Sequence, residues 1–392
     1  VSGKAMQAFS GIALQQARGG KMRKKLTLLA IYALAAAGFA AAQTLEISGE
    51  MKTGFYWERL QVEGQDAVVE TRMHHNDDAG PNEGRFRLNM HLVKENIGMK
   101  VRFQQTAWTA TQPNQWDFAF AYGNFIEDQL KVTIGKLGES PWSAGGPDIW
   151  QELDNQIGIR TEVMPQIVPG LNIGFVLNGY NNAVYWPEKR TLGDMLSETV
   201  LGVAYTNDYF HGRFSYRLDG EADVYNMDSE GMELMYRLEE RVLRNYIEGF
   251  SVWANGWWRG IGTDDRSIIL YRNWLYAEYS PPAFTAQLRL GYDIGYRRQQ
   301  FNSRIGFYYN ILPFLSVGSA FKYNQDFGDE RDIKDVPYIL LGIEPQIKVT
   351  FGPNAYIALV YFYDSEYVKE ATIVDPLVRQ KHRLNLRTVY TF

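Results

Sequence analysis

An all-β fold is expected, an up-and-down antiparallel barrel of about 16 to 18 membrane-spanning strands. Three features carry that expectation. Apolar and polar side chains alternate with a period of two in one segment after another. The connections between these segments are short and long by turns. After residue 42 no apolar run approaches the ~18 residues that mark a spanning helix.

The N-terminal stretch precedes the barrel. Met22 is followed by Arg23, Lys24 and Lys25, then by an apolar run from Leu26 to Ala42 that ends in small residues. A basic segment, an apolar segment and Ala40-x-Ala42 make residues 22–42 a signal peptide cut between Ala42 and Gln43. An N-terminal membrane anchor is the alternative, but the run is shorter than the ~20 residues of a spanning helix. Residues 1–21 read as a mis-annotated segment upstream of a start at Met22. Residues 43–392 are then the barrel.

Within it the alternation is plain. Leu45, Ile47, Met51, Phe55 and Trp57 stand against Glu46, Ser48, Glu50 and Lys52. Phe86, Leu88 and Met90 oppose Arg85, Arg87 and Asn89, and Met99, Val101 and Phe103 oppose Lys100, Arg102 and Gln104. The clearest case sets Phe284, Ala286, Leu288, Leu290, Tyr292 and Ile294 against Thr285, Gln287, Arg289 and Asp293. Helical spacing would mix these sets. Strand starts fall near residues 45, 85, 98, 115, 130, 155, 170, 198, 210, 231, 249, 268, 283, 301, 314, 336, 354 and 380. The stretch 239–249 is the weakest, with a helical turn or a longer strand as the choices.

Short connections such as KENIG, IEDQ, MPQIVPG, SPP, LPF and FGPN carry turn residues. The long ones cover roughly 58–84, 138–154, 180–197, 220–230, 324–335 and 366–379. Such segregation is what an outer-membrane barrel shows, with short turns inside and long loops outside.

Composition agrees. Hydrophobic residues make up 45% of the 392 residues and the net charge is −5, which gives no case for nucleic acid. A mean hydropathy of −0.31 suits a membrane protein only if half its strand residues face water. Aromatics reach 14%, and the absence of cysteine excludes disulfides and thiolate-bound metal.

The last strand ends RLNLRTVYTF, with Leu384, Leu386, Tyr390 and Phe392 at alternating positions. This pattern resembles the C-terminal assembly signal of outer-membrane barrels, and the chain resembles the bacterial porins, with a spirochaetal lineage as the candidate branch. LKVTIGKLGESPWSAGGPDIW is similar to the strand and third loop that in porins folds inward as the constriction. The resemblance implies a water-filled channel for passive diffusion of small hydrophilic solutes across the bacterial outer membrane. It also implies outer-membrane lipid and the barrel assembly machinery as partners, and a homotrimer as a common state. No cofactor and no enzymatic activity are expected.

Function then lies in interior charge. Arg85, Arg87, Lys100, Arg102, Arg160, Arg213, Arg217 and Arg289 are expected to form a basic wall, outnumbering acids such as Glu46, Glu50, Asp117, Glu162, Glu233 and Asp293. Glu139, Trp142, Asp148, Trp150, Glu152 and Asp154 belong to the constriction loop, 138–154, bent at Gly145-Gly146-Pro147. An acidic loop against a basic wall would set a field across the narrowest point, with a weak lean to anions. The alternative is that these charges are merely solvated or paired.

Other readings stay in view. Trp142, Trp150, Trp253 and Trp257 suit a membrane-interface girdle better than a sugar track. His74-His75 beside Asp77-Asp78 suits a solvated loop better than a metal site. His211 and His382 are both placed on inner faces, without a catalytic partner. The rivals to a diffusion pore are a channel selective for carboxylates or oligosaccharides, a barrel adhesin or structural envelope protein, and a soluble periplasmic β-rich binding protein.

Overall fold

The computed structural model describes residues 44–73, 85–105, 115–138, 140–144, 157–180, 196, 199–217, 232–262, 269–295, 298–327, 339–368 and 377–392. The expected signal peptide, the residues before it, and His74, His75, Asp77 and Asp78 lie outside them.

The described residues form nineteen strands. They are β1 (Thr44–Val62), β2 (Val68–Met73), β3 (Arg85–Lys94), β4 (Ile97–Gln105), β5 (Gln115–Phe125), β6 (Leu130–Lys136), β7 (Ile157–Val163) and β8 (Leu171–Tyr180), then β9 (Val200–Thr206), β10 (Phe210–Arg217), β11 (Met232–Glu240), β12 (Phe250–Ile261) and β13 (Leu270–Tyr279). β14 (Phe284–Gly295), β15 (Arg298–Leu312), β16 (Leu315–Asp326), β17 (Ile339–Thr350), β18 (Ala355–Val368) and β19 (Leu377–Thr391) complete the set. From β3 onward each strand pairs antiparallel with the next, and β1 pairs with β2, β3 and β19, so the sheet closes on itself.

β2 and β3 share one place in the wall. Phe55–Leu60 of β1 pair with Met73–Val68, and Thr44–Lys52 pair with Val93–Arg85. Nineteen segments therefore build an 18-strand barrel. Closure pairs both edges of the wall from β3 to β19 and β1, which is the one way a sheet avoids exposed edges, and β2 is laddered to β1 alone among the described residues.

The alternation sorts side chains into two environments. The outward face is apolar and open: Ile134 is 56% exposed, Phe307 53% and Phe321 60%. Outward aromatics gather at the end where the turns are short, among them Phe125, Tyr309, Phe314, Phe351, Tyr390 and Phe392. The inward face holds most of the charge.

One local feature departs from the sequence reading, and one choice it left open is decided. The stretch taken as a loop over 58–84 instead continues β1 to Val62, turns at residues 63–65 and returns as β2. Its pattern is masked in sequence because VVETRM is short and leads into the polar HHNDD. The weak stretch 239–249 closes as a single helical turn, α1 (Val242–Tyr246), whose Leu243 N–H donates to the Glu240 carboxylate at 2.6 Å.

Candidate functional site: the barrel interior

Register decides which side chains point inward. Glu50 faces Arg87 across β1 and β3, and Gln104 follows it on β4. From there the inward set runs through Lys100, Arg102, Lys131, Arg160, Arg213, Arg217, Arg289 and Arg304. Arg85 opens β3 opposite Lys52. Asp117 falls at a register break, where Arg102 pairs with Phe118 but Phe103 pairs with Trp116. Further inward cations not singled out in sequence are Arg237, Arg259, Arg272, Lys322, Arg379 and Lys381.

One arc of the interior, from β15 to β19, is an ion-pair wall. Arg304 donates to Glu344 at 2.7 and 3.0 Å, and Lys322 shares the same carboxylate. Glu366 sits between Arg379 at 3.0 Å and Lys381 at 2.9 Å, and Arg383 binds Asp364. These carboxylates are only 2–4% exposed, whereas their cations are 14–27% exposed. The cause is side-chain length. Asp and Glu are short and lie against the backbone wall, while Lys and Arg arch over them with their charged heads toward water. Phe362, 2% exposed, is the apolar floor, with Lys322, Arg383 and Arg387 at 5.0–5.6 Å from its ring centre.

The facing arc, from β5 to β12, holds an apolar cluster among its inward charges. After β6 the chain turns inward, and Leu137, Trp142 and Ala144 pack with Val176, Val200, Ala204, Met235 and Trp257. Trp142 is fully buried. Its indole lies on Gly174 and Gly202, whose missing side chains make the room. Ser215 Oγ donates to the Trp142 carbonyl at 2.8 Å, Arg213 to the Ser143 carbonyl at 3.3 Å, and Arg160 to the Gly138 carbonyl at 3.0 Å. Arg160 also meets Glu162 at 3.0 Å, and Arg217 meets Glu233 at 3.5 Å. Glu139, Asp148, Trp150, Glu152 and Asp154 lie outside the described residues.

Two expectations are corrected. Trp142, Trp253 and Trp257 do not form a membrane-interface girdle: all three face inward. Trp253 and Trp257 pair with Glu239 and Met235, both inward, while Trp258 takes the outward side. In SVWANGWWRG aromatics occupy both faces of the strand, so alternation alone could not assign them. Trp253 stacks on Tyr276 with ring centres 3.7 Å apart, and Arg237 covers it at 4.3 Å. His382, expected inward with His211, faces outward: counting back by twos from Leu386 and Leu384 reaches it. It lies 2.6 Å from the Tyr361 hydroxyl on the outer face. His211 points inward, 2.8 Å from the Arg213 guanidinium. Among the described residues no three His, Cys, Asp or Glu side chains converge as a metal site.

No protein-family model matches the sequence, and no curated protein matches it. Solved structures do. The crystal structure of Pseudomonas aeruginosa OpdQ aligns with a TM-score of 0.52 at 10% identity, over 90% of this chain and 99% of that one. An anion-selective porin from Comamonas acidovorans aligns at 0.49 and 10% identity, over 89% and 99%. A loop-deletion mutant of OmpT, an outer membrane protein of Vibrio cholerae, aligns at 0.45 and 11%, over 89% and 99%. The OpdQ likeness is one of fold.

Proposed function

We propose that this chain is an outer-membrane porin, a water-filled channel through which small hydrophilic solutes diffuse, with a preference for anions. Residues 43–392 would reach the outer membrane after export by the 22–42 signal peptide. The observation that carries the reading is the layering of the interior wall, with carboxylates buried against the backbone and Arg304, Lys322, Arg379, Lys381 and Arg383 above them in water. A solute in the channel meets the cations first. The interior is therefore more positive than its residue count, even though the whole chain carries −5. A barrel of 16–18 strands is wide enough for an aqueous channel, whereas one of about 8 is filled by side chains.

The 138–154 loop serves as the constriction. Leu137, Trp142 and Ala144 anchor its root to the apolar cluster, and the rest of the constriction is assigned to Glu139, Asp148, Trp150, Glu152 and Asp154. Arg87, Arg102 and Arg289 are basic wall residues of the water path, while Lys100, Arg160, Arg213 and Arg217 stand on the loop side. Leu384, Leu386, Tyr390 and Phe392 are the signal read by the assembly machinery. A homotrimer is the proposed state.

The test is single-channel conductance of the detergent-purified mature protein in planar bilayers under a salt gradient. Discrete steps with a reversal potential on the anion side are expected. Steps with a cation bias would keep the channel and discard the layering argument. A folded barrel without steps would move the assignment to an adhesin or structural envelope protein.

A further inference from the structure

Under the root of the inward segment lies a recess of ≈ 530 Å³ in the interior wall of β4 to β7, beside Ser140 and Pro141. Lys100, Lys131, Arg160 and Asp128 are its charged lining. Arg160 is already committed, held by Glu162 at 3.0 Å and by the Gly138 carbonyl at 3.0 Å. Lys131 is held loosely, 3.8 Å from Glu162 and 5.0 Å from the centre of the Tyr122 ring. Lys100 is exposed and forms no ion pair among the described residues.

Much of the rest of the lining is apolar: Phe120 and the Tyr122 ring, with Pro141 and Met164. Tyr122 is fixed in place. Its ring passes over Gly98, where a side chain would collide with it, and its hydroxyl lies 2.9 Å from His91 Nε2. His91 Nδ1 is in turn 3.1 Å from Glu46. One buried donor on the lining, the Ser140 hydroxyl, has no hydrogen-bond partner among the described residues. Buried polar groups are nearly always paired with protein or water, so this hydroxyl is available to a ligand.

We propose that this recess is a binding subsite for a small amphiphilic anion, with an acid group between Lys100 and Lys131 and an apolar body against Phe120 and Tyr122. The acid group is a carboxylate or a phosphate monoester, since both accept from ammonium donors. Ser140 donates to the same acid group. Charge alone would hold any anion weakly in water. The two rings select for an apolar body by removing its surface from water. The subsite rests on the channel reading, because solute reaches the recess through the interior.

The test is calorimetry of the full mature protein folded in detergent, titrated with phenylacetate, phenyl phosphate, inorganic phosphate and benzyl alcohol. Phenylacetate or phenyl phosphate should bind, and the stronger of the two identifies the acid group. Inorganic phosphate and benzyl alcohol should each bind at least about tenfold more weakly, since each lacks half of the recognition. Lys100→Gln should cost about tenfold in affinity, the size of one charge-assisted contact. Lys131→Gln is a second variant, and folding of both is checked by heat-modifiable mobility. Equal binding of inorganic and phenyl phosphate, unchanged affinity in both folded variants, or no binding at all would overturn the subsite. Conductance is read separately. Binding without channel steps would sink the channel and leave the subsite, while steps without binding would do the reverse.

Discussion

Phe392 and Gly49 exchange both backbone hydrogen bonds, at 2.8 and 3.0 Å, and the phenylalanine ring covers the face where a Gly49 side chain would stand. They are the last rung of the β1–β19 ladder that closes the barrel. The ring stacks beside Tyr390 with centres 6.0 Å apart and remains 46% exposed on the outer face. Gly49→Val would force the ring off the rung, at roughly 1–3 kcal/mol for overpacking. Lower thermal stability of the folded form on semi-native gels is the expected outcome. Unchanged stability would mean that the ring contributes nothing to closure.

Deleting Phe392 removes the rung altogether. Outer-membrane levels should fall while export through the inner membrane continues, with unassembled chain in the periplasm. Fractionation and immunoblotting check this. Normal levels of the deletion in the outer membrane would separate closure from the proposed assembly signal.

Trp142 fills a slot made by two glycines on separate strands, Gly174 and Gly202. Trp142→Ala should lose about 3–5 kcal/mol of local packing, as for other buried aromatic truncations. Freed at its root, the inward segment should obstruct less, and single-channel conductance should rise. Gly202→Val should act the same way, by displacing the indole rather than removing it. Conductance at the wild-type value in both variants would show that this segment does not set the bore.

Glu344 neutralises Arg304 and Lys322 from beneath. Glu344→Gln should destabilise the barrel by on the order of 2 kcal/mol, less than the 3–5 of a fully buried pair because both cations keep water contact. Zero-current potentials should shift toward anions. Arg304→Gln should shift them the other way. Identical shifts in both variants would contradict the layering of the wall.

Anion preference should fade with salt. The Debye length shrinks from about 10 Å at 0.1 M to about 3 Å at 1 M, so cations at the wall stop being felt across the channel. The permeability ratio in potassium chloride should approach unity over that range. A ratio independent of salt would point to size exclusion or site binding in place of a wall field.

Much of this architecture could be read in the chain because each strand must satisfy the same two environments. Strand starts at residues 85, 115, 130 and 210 are those of β3, β5, β6 and β10. Inward Arg87, Arg102 and Arg289 follow from the same counting. What escaped depends on contacts between distant strands. That the inward Trp142 is wholly buried is set by Gly174 and Gly202, which a local pattern cannot connect to it. Aromatic-rich β12 offers both faces equally until its register with Met235 and Glu239 is known. Asp364 and Glu366 resemble loop acids near the end of β18, and only pairing with Lys381 and Arg379 makes them part of the wall.

The strands differ greatly in height. β1 runs 19 residues and β15 and β19 15 each, whereas β6, β7 and β9 have 7. At about 3.3 Å per residue the 19 residues of β1 reach well beyond the height of a membrane-spanning strand. The collar that results is hydrogen-bonded on both flanks, since β1 pairs there with β2 and with β19. A solute arriving from outside meets this parapet on the flank of β1, β2 and β19, while the inward segment leaves the wall after β6. Parapet and bolt stand on different strands, so substitutions in β1 and β2 should alter capture at the mouth without altering the bore.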